Sequence, residues 1–193
     1  MKKIFLSGIL IFSIFLSLNC SSTQLQIYSR SEWNAAEPRG YKSQVPVRIT
    51  IHHEGEIFNP QKESAAVHIK KVQTWGMSEA RNWSDIPYHF IIDFDGNIFE
   101  GRNVFTAGET ATEYDPEGHL LITCLGNFEE QQVTEKQLNA LIELTAYCCK
   151  KYQISPSTIK AHKDFAKTLC PGKDLYRYIE SGFLQSEVEK KIK

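Results

Sequence analysis

The chain has 193 residues, of which 41% are hydrophobic and 23% are charged, and these are the values of an ordinary globular domain. This length favours a single domain with its own hydrophobic core. The formal net charge is −1 and no basic run stands out beyond short Lys pairs, so the composition argues against nucleic-acid binding through a cationic face.

An export signal is predicted over residues 1–19. Lys2 and Lys3 form a basic start, and an apolar stretch over residues 4–18 follows. That stretch is too short to span a bilayer comfortably, which separates a cleaved signal from a membrane helix. We therefore expect an exported protein.

Cys20 follows this signal at the place where a bacterial lipoprotein carries its lipidated first residue. We predict a lipid anchor on Cys20, which would attach the protein to a membrane of the bacterial cell envelope, in the periplasm or at the outer membrane. Asn19 stands where Gly, Ala or Ser is usual, so secretion without a lipid is the alternative. Residues 20–30 are predicted as a polar tether and residues 31–193 as the folded domain.

Four runs of β-branched and aromatic residues predict the strands of a buried sheet. They cover residues 47–53, 87–94, 97–100 and 119–125. The second and third runs form a hairpin, because Asp95-Gly96 between them is a tight-turn sequence in which glycine adopts positive φ at little cost.

Amphipathic periodicity predicts the helices. They cover residues 64–77, 134–152, 175–183 and 187–192. Thr134 and Gln137 fit a capping box at the start of the longest helix. His68 is predicted on the solvated face of the first helix. The element order is strand, helix, hairpin, strand, helix, which indicates the α/β class with a mixed central β-sheet flanked by helices.

Two residues with zinc-ligand chemistry lie near the C-terminal end of the chain. His162 and Cys170 are eight positions apart in a segment punctuated by Pro and Gly, and imidazole and thiolate are both good zinc ligands. A catalytic zinc has three protein ligands and one open position for water, whose pKa it lowers from ~16 to ~7. The strand that ends in His52 and His53 is the expected source of the third ligand. Alternation sends these two side chains to opposite faces, and the pattern alone does not select one.

Four ordered motifs resemble the zinc-dependent type 2 N-acetylmuramoyl-L-alanine amidases, which share their fold with phage amidase lysozymes and animal peptidoglycan recognition proteins. The motifs are Ile49-Thr50-Ile51-His52-His53, residues 87–93 with 95–102, Leu125-Gly126-Asn127-Phe128, and residues 162–172. The resemblance extends from about Tyr28 to Tyr178. It implies the peptidoglycan recognition protein/amidase type of fold and cleavage of the amide between N-acetylmuramic acid and L-alanine in peptidoglycan or muropeptides, as in cell-wall degradation.

The resemblance also implies roles for individual residues. His52, His162 and Cys170 would be the zinc ligands, and Tyr88 would assist catalysis. Thr168 stands at a position that is Lys in some members and Thr in others; it can supply a hydroxyl hydrogen bond but no charge. The group that manages the leaving-group proton therefore stays open. Glu54 and Glu56, which follow His53, are alternative candidates for this proton transfer, and ordinary loop carboxylates are the simpler interpretation of both.

Several other residues have two interpretations. Trp75, Trp83 and Arg102 are interpreted as lining a glycan–peptide groove, and for the two tryptophans core packing is the alternative. His53 and His89 are expected as core histidines or as neighbours of the metal ligands. Asp164 either orients the His162 motif or caps its loop. Thr106 departs from the histidine that many members carry at that position, so that substrate contacts of its loop are expected to differ.

Cys124, Cys148 and Cys149 are interpreted as buried free thiols, with a bridge from Cys124 as the alternative.

The alternative function is a peptidoglycan-binding module that does not cut. Presence of all three ligands and of Tyr88 favours the enzyme. The expected partner is peptidoglycan or a muropeptide, and the sequence leaves open whether intact sacculus or small fragments are the substrate. We expect a monomer.

Overall fold

The structure is a computed structural model that describes residues 25–193. The predicted signal peptide and the lipidation site at Cys20 lie outside the described residues. Within residues 25–193, no helix is both long enough and apolar enough to cross a membrane.

One six-stranded sheet organises the fold. Its strands are β1 (Ile27–Tyr28), β2 (Arg48–His53), β3 (Phe90–Ile92), β4 (Ile98–Glu100), β5 (His119–Cys124) and β6 (Lys160–Ala161). Their spatial order is β1-β4-β3-β5-β2-β6. Only the β3–β4 hairpin is antiparallel within this sheet, and every other neighbouring pair is parallel. The predicted mixed sheet is therefore confirmed.

Helices cover both faces of the sheet. They are α1 (Ala65–Gly76), α2 (Glu135–Tyr152), α3 (Lys173–Glu180) and α4 (Phe183–Ile192). One apolar cluster joins β2, β3 and β5 to α2 and α4, with Ile51, Leu144 and Val188 fully buried in it. A second cluster on the opposite face contains Ile69 of α1 and Ile91 of β3. Full burial of such side chains contributes roughly 1.5–3 kcal/mol each.

The tether predicted over residues 20–30 is partly integrated into the domain. Ile27 and Tyr28 pair in parallel with β4, whose outer edge would otherwise be open. Arg30 forms an ion pair with Asp85 at 2.9 Å. The described part of this segment is therefore held by the sheet, and the domain begins before the predicted residue 31.

Two local predictions are corrected by backbone chemistry. The strand predicted over residues 87–94 is shorter, because Pro87 has no N–H to donate and the Asp93 carboxylate accepts from the backbone N–H groups of Asp95 and Asn97, which starts the turn. The capping box is only half formed. Thr134 Oγ1 accepts from the Gln137 N–H at 3.1 Å, but the Gln137 side chain turns into the core and donates to carbonyls at the ends of β3 and β5.

Cys124, Cys148 and Cys149 are buried free thiols, in agreement with the sequence interpretation, and Cys124 forms no bridge with the other two. All three pack in the cluster between the sheet and α2. They behave as small hydrophobic side chains.

Arg102 is a buried structural residue, which corrects its interpretation as part of a glycan–peptide groove. Its side chain is only 2% exposed. The guanidinium donates to the Ile86 carbonyl at 2.6 Å and to the Ala107 carbonyl, and it pairs with the Glu109 carboxylate. These contacts hold the loop that leads from β4 to β5 against the chain that precedes β3.

Replacement of Arg102 by Ala should lower the free energy of unfolding by about 3 kcal/mol, because it leaves Glu109 and the two carbonyls without their buried donor. Urea unfolding of the purified protein measures this change. The matched control is Arg39→Ala, since Arg39 is exposed and such surface changes stay within about 0.5 kcal/mol. Equal effects of the two substitutions would contradict the assigned role of Arg102.

Candidate metal centre

The three predicted ligands meet at one buried site. One ligand atom each from His52, His162 and Cys170 lies within 4.8 Å of the other two. Cys170 Sγ is 3.6 Å from His52 Nδ1, and the two imidazole rings have centroids 4.6 Å apart. The tertiary structure thus brings residues from opposite ends of the domain to ligand distance.

Strand parity selects between the two neighbouring histidines. Ile49 and Ile51 of β2 face the α2 side of the sheet, so His52 must face the opposite side, where the cavity lies. His53 points the other way, and its Nδ1 accepts from the Phe128 N–H at 3.2 Å. His53 therefore anchors the chain after β5, and His52 is the residue that faces His162 and Cys170.

The C-terminal motif is held by short-range hydrogen bonds. A 3-10 turn over His162–Asp164 follows β6 directly, and Asp164 Oδ2 accepts from the Ala161 N–H at 2.8 Å. Asp164 thus caps the loop, one of its two predicted roles. Gly172 has φ +84°, and a Cβ there would lie 2.5 Å from the carbonyl carbon of Phe128, so only glycine lets the loop after Cys170 approach this closely.

The site is buried, and this sets the charge of its members. Burial lowers the pKa of His162 to about 4 and that of His52 well below its usual range, so both imidazoles are neutral at pH 7. Burial raises the pKa of Cys170 to about 12, although the His53 N–H, 3.4 Å from Sγ, acts in the opposite direction. Neutral imidazole is the form that binds a metal, and a buried thiol loses its proton when a cation replaces it.

An open cavity of about 510 Å³ lies above these residues. A volume of this size accommodates a ligand of several hundred daltons. Around the three ligands it is lined by His53, Glu54, Glu56, His68, Lys71, Val72, Trp75, Trp83, Pro87, Tyr88, Glu109, Thr110, Ala111, Thr112 and Thr168.

Tyr88 and Thr168 both line the cavity, beside the three predicted zinc ligands. The Tyr88 ring centroid is 5.4 Å from that of His52. Burial raises the pKa of Tyr88 well above its usual value, so the phenol stays protonated and can donate a hydrogen bond. Thr168 Oγ1 accepts from the Cys170 N–H at 3.2 Å, and this hydroxyl therefore also shapes the cysteine loop.

His68 is not on a solvated surface, contrary to the sequence prediction. It lies between two carboxylates, with Nε2 3.1 Å from Glu54 and Nδ1 2.9 Å from Glu63. The hydrogen bond with Glu54, followed by that with Glu63, raises the pKa of His68. Since His68 and Glu54 both line the cavity, they form a charged wall next to the three ligands.

Trp75 and Trp83 line the cavity, which favours the groove interpretation over core packing. Their rings meet edge to face with centroids 5.3 Å apart, and the Arg81 guanidinium stacks 4.4 Å from the Trp75 ring. Trp75 is 50% exposed. An exposed aromatic ring backed in this way offers a firm apolar surface to a ligand.

His89 is a core histidine, one of its two predicted roles. Its Nδ1 accepts from the Leu121 N–H at 2.8 Å, and its Nε2 donates to the Thr106 carbonyl at 2.9 Å. Burial lowers the pKa of His89 to about 3. Thr106 is itself buried, so it supports the loop from within.

Sequence reasoning missed two residues that touch the histidine ligands. Thr112 Oγ1 lies 2.8 Å from His162 Nε2, and the Tyr114 hydroxyl lies 3.5 Å from His52 Nε2. Both belong to the loop between β4 and β5, which has no periodicity that would have marked them. Hydroxyl-bearing residues at alternate positions were the only available signal, and it is a weak one.

Comparison with known proteins places this geometry in a family. Residues 42–173 match the family model described as N-acetylmuramoyl-L-alanine amidase. Peptidoglycan recognition protein 1 of Mus musculus is 32% identical over 160 residues, which are 80% of this chain and 86% of the mouse protein.

Two solved structures show the same architecture. Peptidoglycan recognition protein-LE, solved in complex with tracheal cytotoxin, is 30% identical with a TM-score of 0.72, over 80% of this chain and 92% of that one. The N-acetylmuramoyl-L-alanine amidase LysC from Clostridium intestinale URNW is 29% identical with a TM-score of 0.65, over 82% of this chain and 97% of that one. The chain belongs to the family that comprises the type 2 N-acetylmuramoyl-L-alanine amidases and the peptidoglycan recognition proteins.

Proposed function

We propose that this protein is a zinc-dependent N-acetylmuramoyl-L-alanine amidase that cleaves the amide between N-acetylmuramic acid and L-alanine in peptidoglycan or muropeptides. One observation carries the proposal. Three buried residues with zinc-ligand chemistry, His52, His162 and Cys170, converge at the floor of an open cavity beside the Tyr88 phenol. A module that only binds its ligand has no need of such a set.

The donor set fits a zinc ion. Two neutral imidazoles and one thiol supply three ligands and leave a fourth position toward the cavity, which is the pattern of catalytic rather than structural zinc sites. His52, His162 and Cys170 would hold the ion, and a zinc ion there would polarise an amide carbonyl and lower the pKa of water.

The residues around this set have definable tasks. Tyr88, protonated at neutral pH, can donate a hydrogen bond to the amide carbonyl oxygen as that oxygen gains charge, and one such donor is worth about 3 kcal/mol in the transition state. Thr168 holds the cysteine loop through the Cys170 N–H. Trp75 and Trp83 can orient the sugar or peptide part of the substrate against their rings.

A peptidoglycan-binding module without activity is the second candidate. It is favoured by the relatives that carry the name of recognition proteins, one of which was solved with tracheal cytotoxin, a monomeric diaminopimelic acid-type peptidoglycan. The complete ligand set and Tyr88 support the enzyme over this candidate.

The purified protein should contain about one zinc ion per chain, and Cys170→Ser should weaken zinc binding by more than about 100-fold, since even residues outside the ligand set contribute roughly 10- to 100-fold. Elemental analysis and chelator competition measure both values. Cys149→Ala, which removes a thiol on the far side of the sheet, should bind zinc as the wild type does. A wild-type protein that holds no zinc would rule out the proposed chemistry.

Digestion of purified peptidoglycan and of a soluble muropeptide should release stem peptides that begin at L-alanine, detected by mass spectrometry. Tyr88→Phe should lower kcat by about 100-fold, because one transition-state donor is lost, whereas Tyr41→Phe on the exposed surface should not. If zinc-loaded wild-type protein binds muropeptide and never cuts it, the binding module is the correct function. The relative rates on the two substrates also distinguish intact sacculus from small fragments.

We further propose that the protein is exported and anchored in the bacterial cell envelope through a lipid on Cys20, on the basis of the sequence pattern before that residue. Bacteria that express the full chain should incorporate labelled palmitate into the wild type and into Ser21→Ala, but not into Cys20→Ala. Absence of label from all three forms would favour secretion without a lipid.

A further inference from the structure

We propose that the loop segment 110–115 is a positioning element of the metal centre, in which the hydroxyls of Thr112 and Tyr114 hold the two histidine rings so that Nδ1 of each is presented to the metal. This inference rests on the proposed zinc function of His52, His162 and Cys170. It assigns a task to two residues that no motif marked.

Alternating exposure shows how the segment runs across the site. Ala111, Glu113 and Asp115 are exposed, whereas Thr112 and Tyr114 between them are half-buried. Every second side chain thus points inward. Both inward residues contact a histidine ligand, and they contact different histidines.

Thr112 controls the orientation of His162. Its Oγ1 lies 2.8 Å from His162 Nε2 and 2.8 Å from Thr110 Oγ1. When the Thr112 hydroxyl donates to Thr110, its lone pairs accept the N–H of His162 Nε2. That tautomer leaves Nδ1 of His162 with its lone pair, as a metal ligand requires.

Tyr114 touches both rings. Its ring centroid is 5.0 Å from that of His162 and stacks 5.9 Å from that of Phe165, which restricts its own movement. From this position its hydroxyl reaches His52 Nε2 at 3.5 Å. This contact lies on the opposite side of the imidazole from Nδ1, the atom that faces Cys170 Sγ at 3.6 Å. The longer distance indicates a weaker contribution than that of Thr112.

The same arrangement recurs at both histidines, which makes a chance contact a poor explanation. In each case one ring nitrogen meets a hydroxyl of the same loop, and the other nitrogen is left for the metal. Partners of this kind fix the tautomer and ring orientation of a metal-binding histidine, and their loss typically costs about 10- to 100-fold in metal affinity.

The test measures the zinc dissociation constant of the full chain by chelator competition. Thr112→Val keeps the size of the side chain but removes the hydroxyl, and it should weaken zinc binding by about 10- to 100-fold. Thr112→Ser restores the hydroxyl and should bind zinc within about threefold of the wild type. Tyr114→Phe should show a smaller loss, and the exposed-site controls Thr74→Val and Tyr41→Phe should show none.

A second readout does not depend on affinity. Nitrogen NMR of the metal-free protein should show His162 with its proton on Nε2 in the wild type and in Thr112→Ser, and a mixture of tautomers in Thr112→Val. Unchanged zinc affinity and an unchanged tautomer in Thr112→Val would overturn the positioning role while the zinc function stands. A wild-type protein without zinc affinity would overturn the proposed function, and this inference with it.

Discussion

The parallel register of β2 against β6 is the constraint on which the site depends. Ile51 pairs with Ala161, so the residues that follow this pair, His52 at the end of β2 and His162 just after β6, come to lie side by side. A shift of one residue would turn His53 toward the cavity and His52 into the core, because successive strand residues face opposite sides. The apolar partners of β2 prevent that shift, since Ile49 and Ile51 fill the core under α2. Packing of the core thereby positions the ligands.

The third ligand depends on backbone that has no regular structure. Cys170 reaches the two histidines because the loop after β6 is closed by hydrogen bonds of Asp164 and Thr168 and by the close approach of Gly172 to Phe128. The opposite wall of the site is the loop between β4 and β5. Arg102 attaches the start of this loop to the rest of the domain. Short polar contacts of this kind hold loops rigid where no ladder of strand hydrogen bonds is available.

Burial defines the chemistry of this centre. Two imidazoles and a thiol in a buried site are neutral at pH 7 without a cation, and gathering them costs folding free energy unless they have partners. The hydroxyl groups of Thr112 and Tyr114 and the His53 N–H supply partners on the outer side of each ligand. One ligand atom of each residue is then left to face the other two, and it is available to a metal. Tyr88 lies beside these three atoms on the cavity side.

The sequence by itself determined four of the six strands, the four helices, the mixed sheet, the family resemblance and the three residues that converge, because hydrophobic period and short motifs are local properties of the chain. It missed the two-residue strands β1 and β6, which are too short to show a period. It did not determine the roles of His68, Arg102, Thr112 or Tyr114. A histidine next to lysines looks solvated in sequence, and Arg102 looked like part of a groove. Only the fold decided that His68 lies between Glu54 and Glu63 and that Arg102 is buried. Contacts of this kind join residues far apart in the chain through loops without periodicity, so tertiary structure alone can decide them.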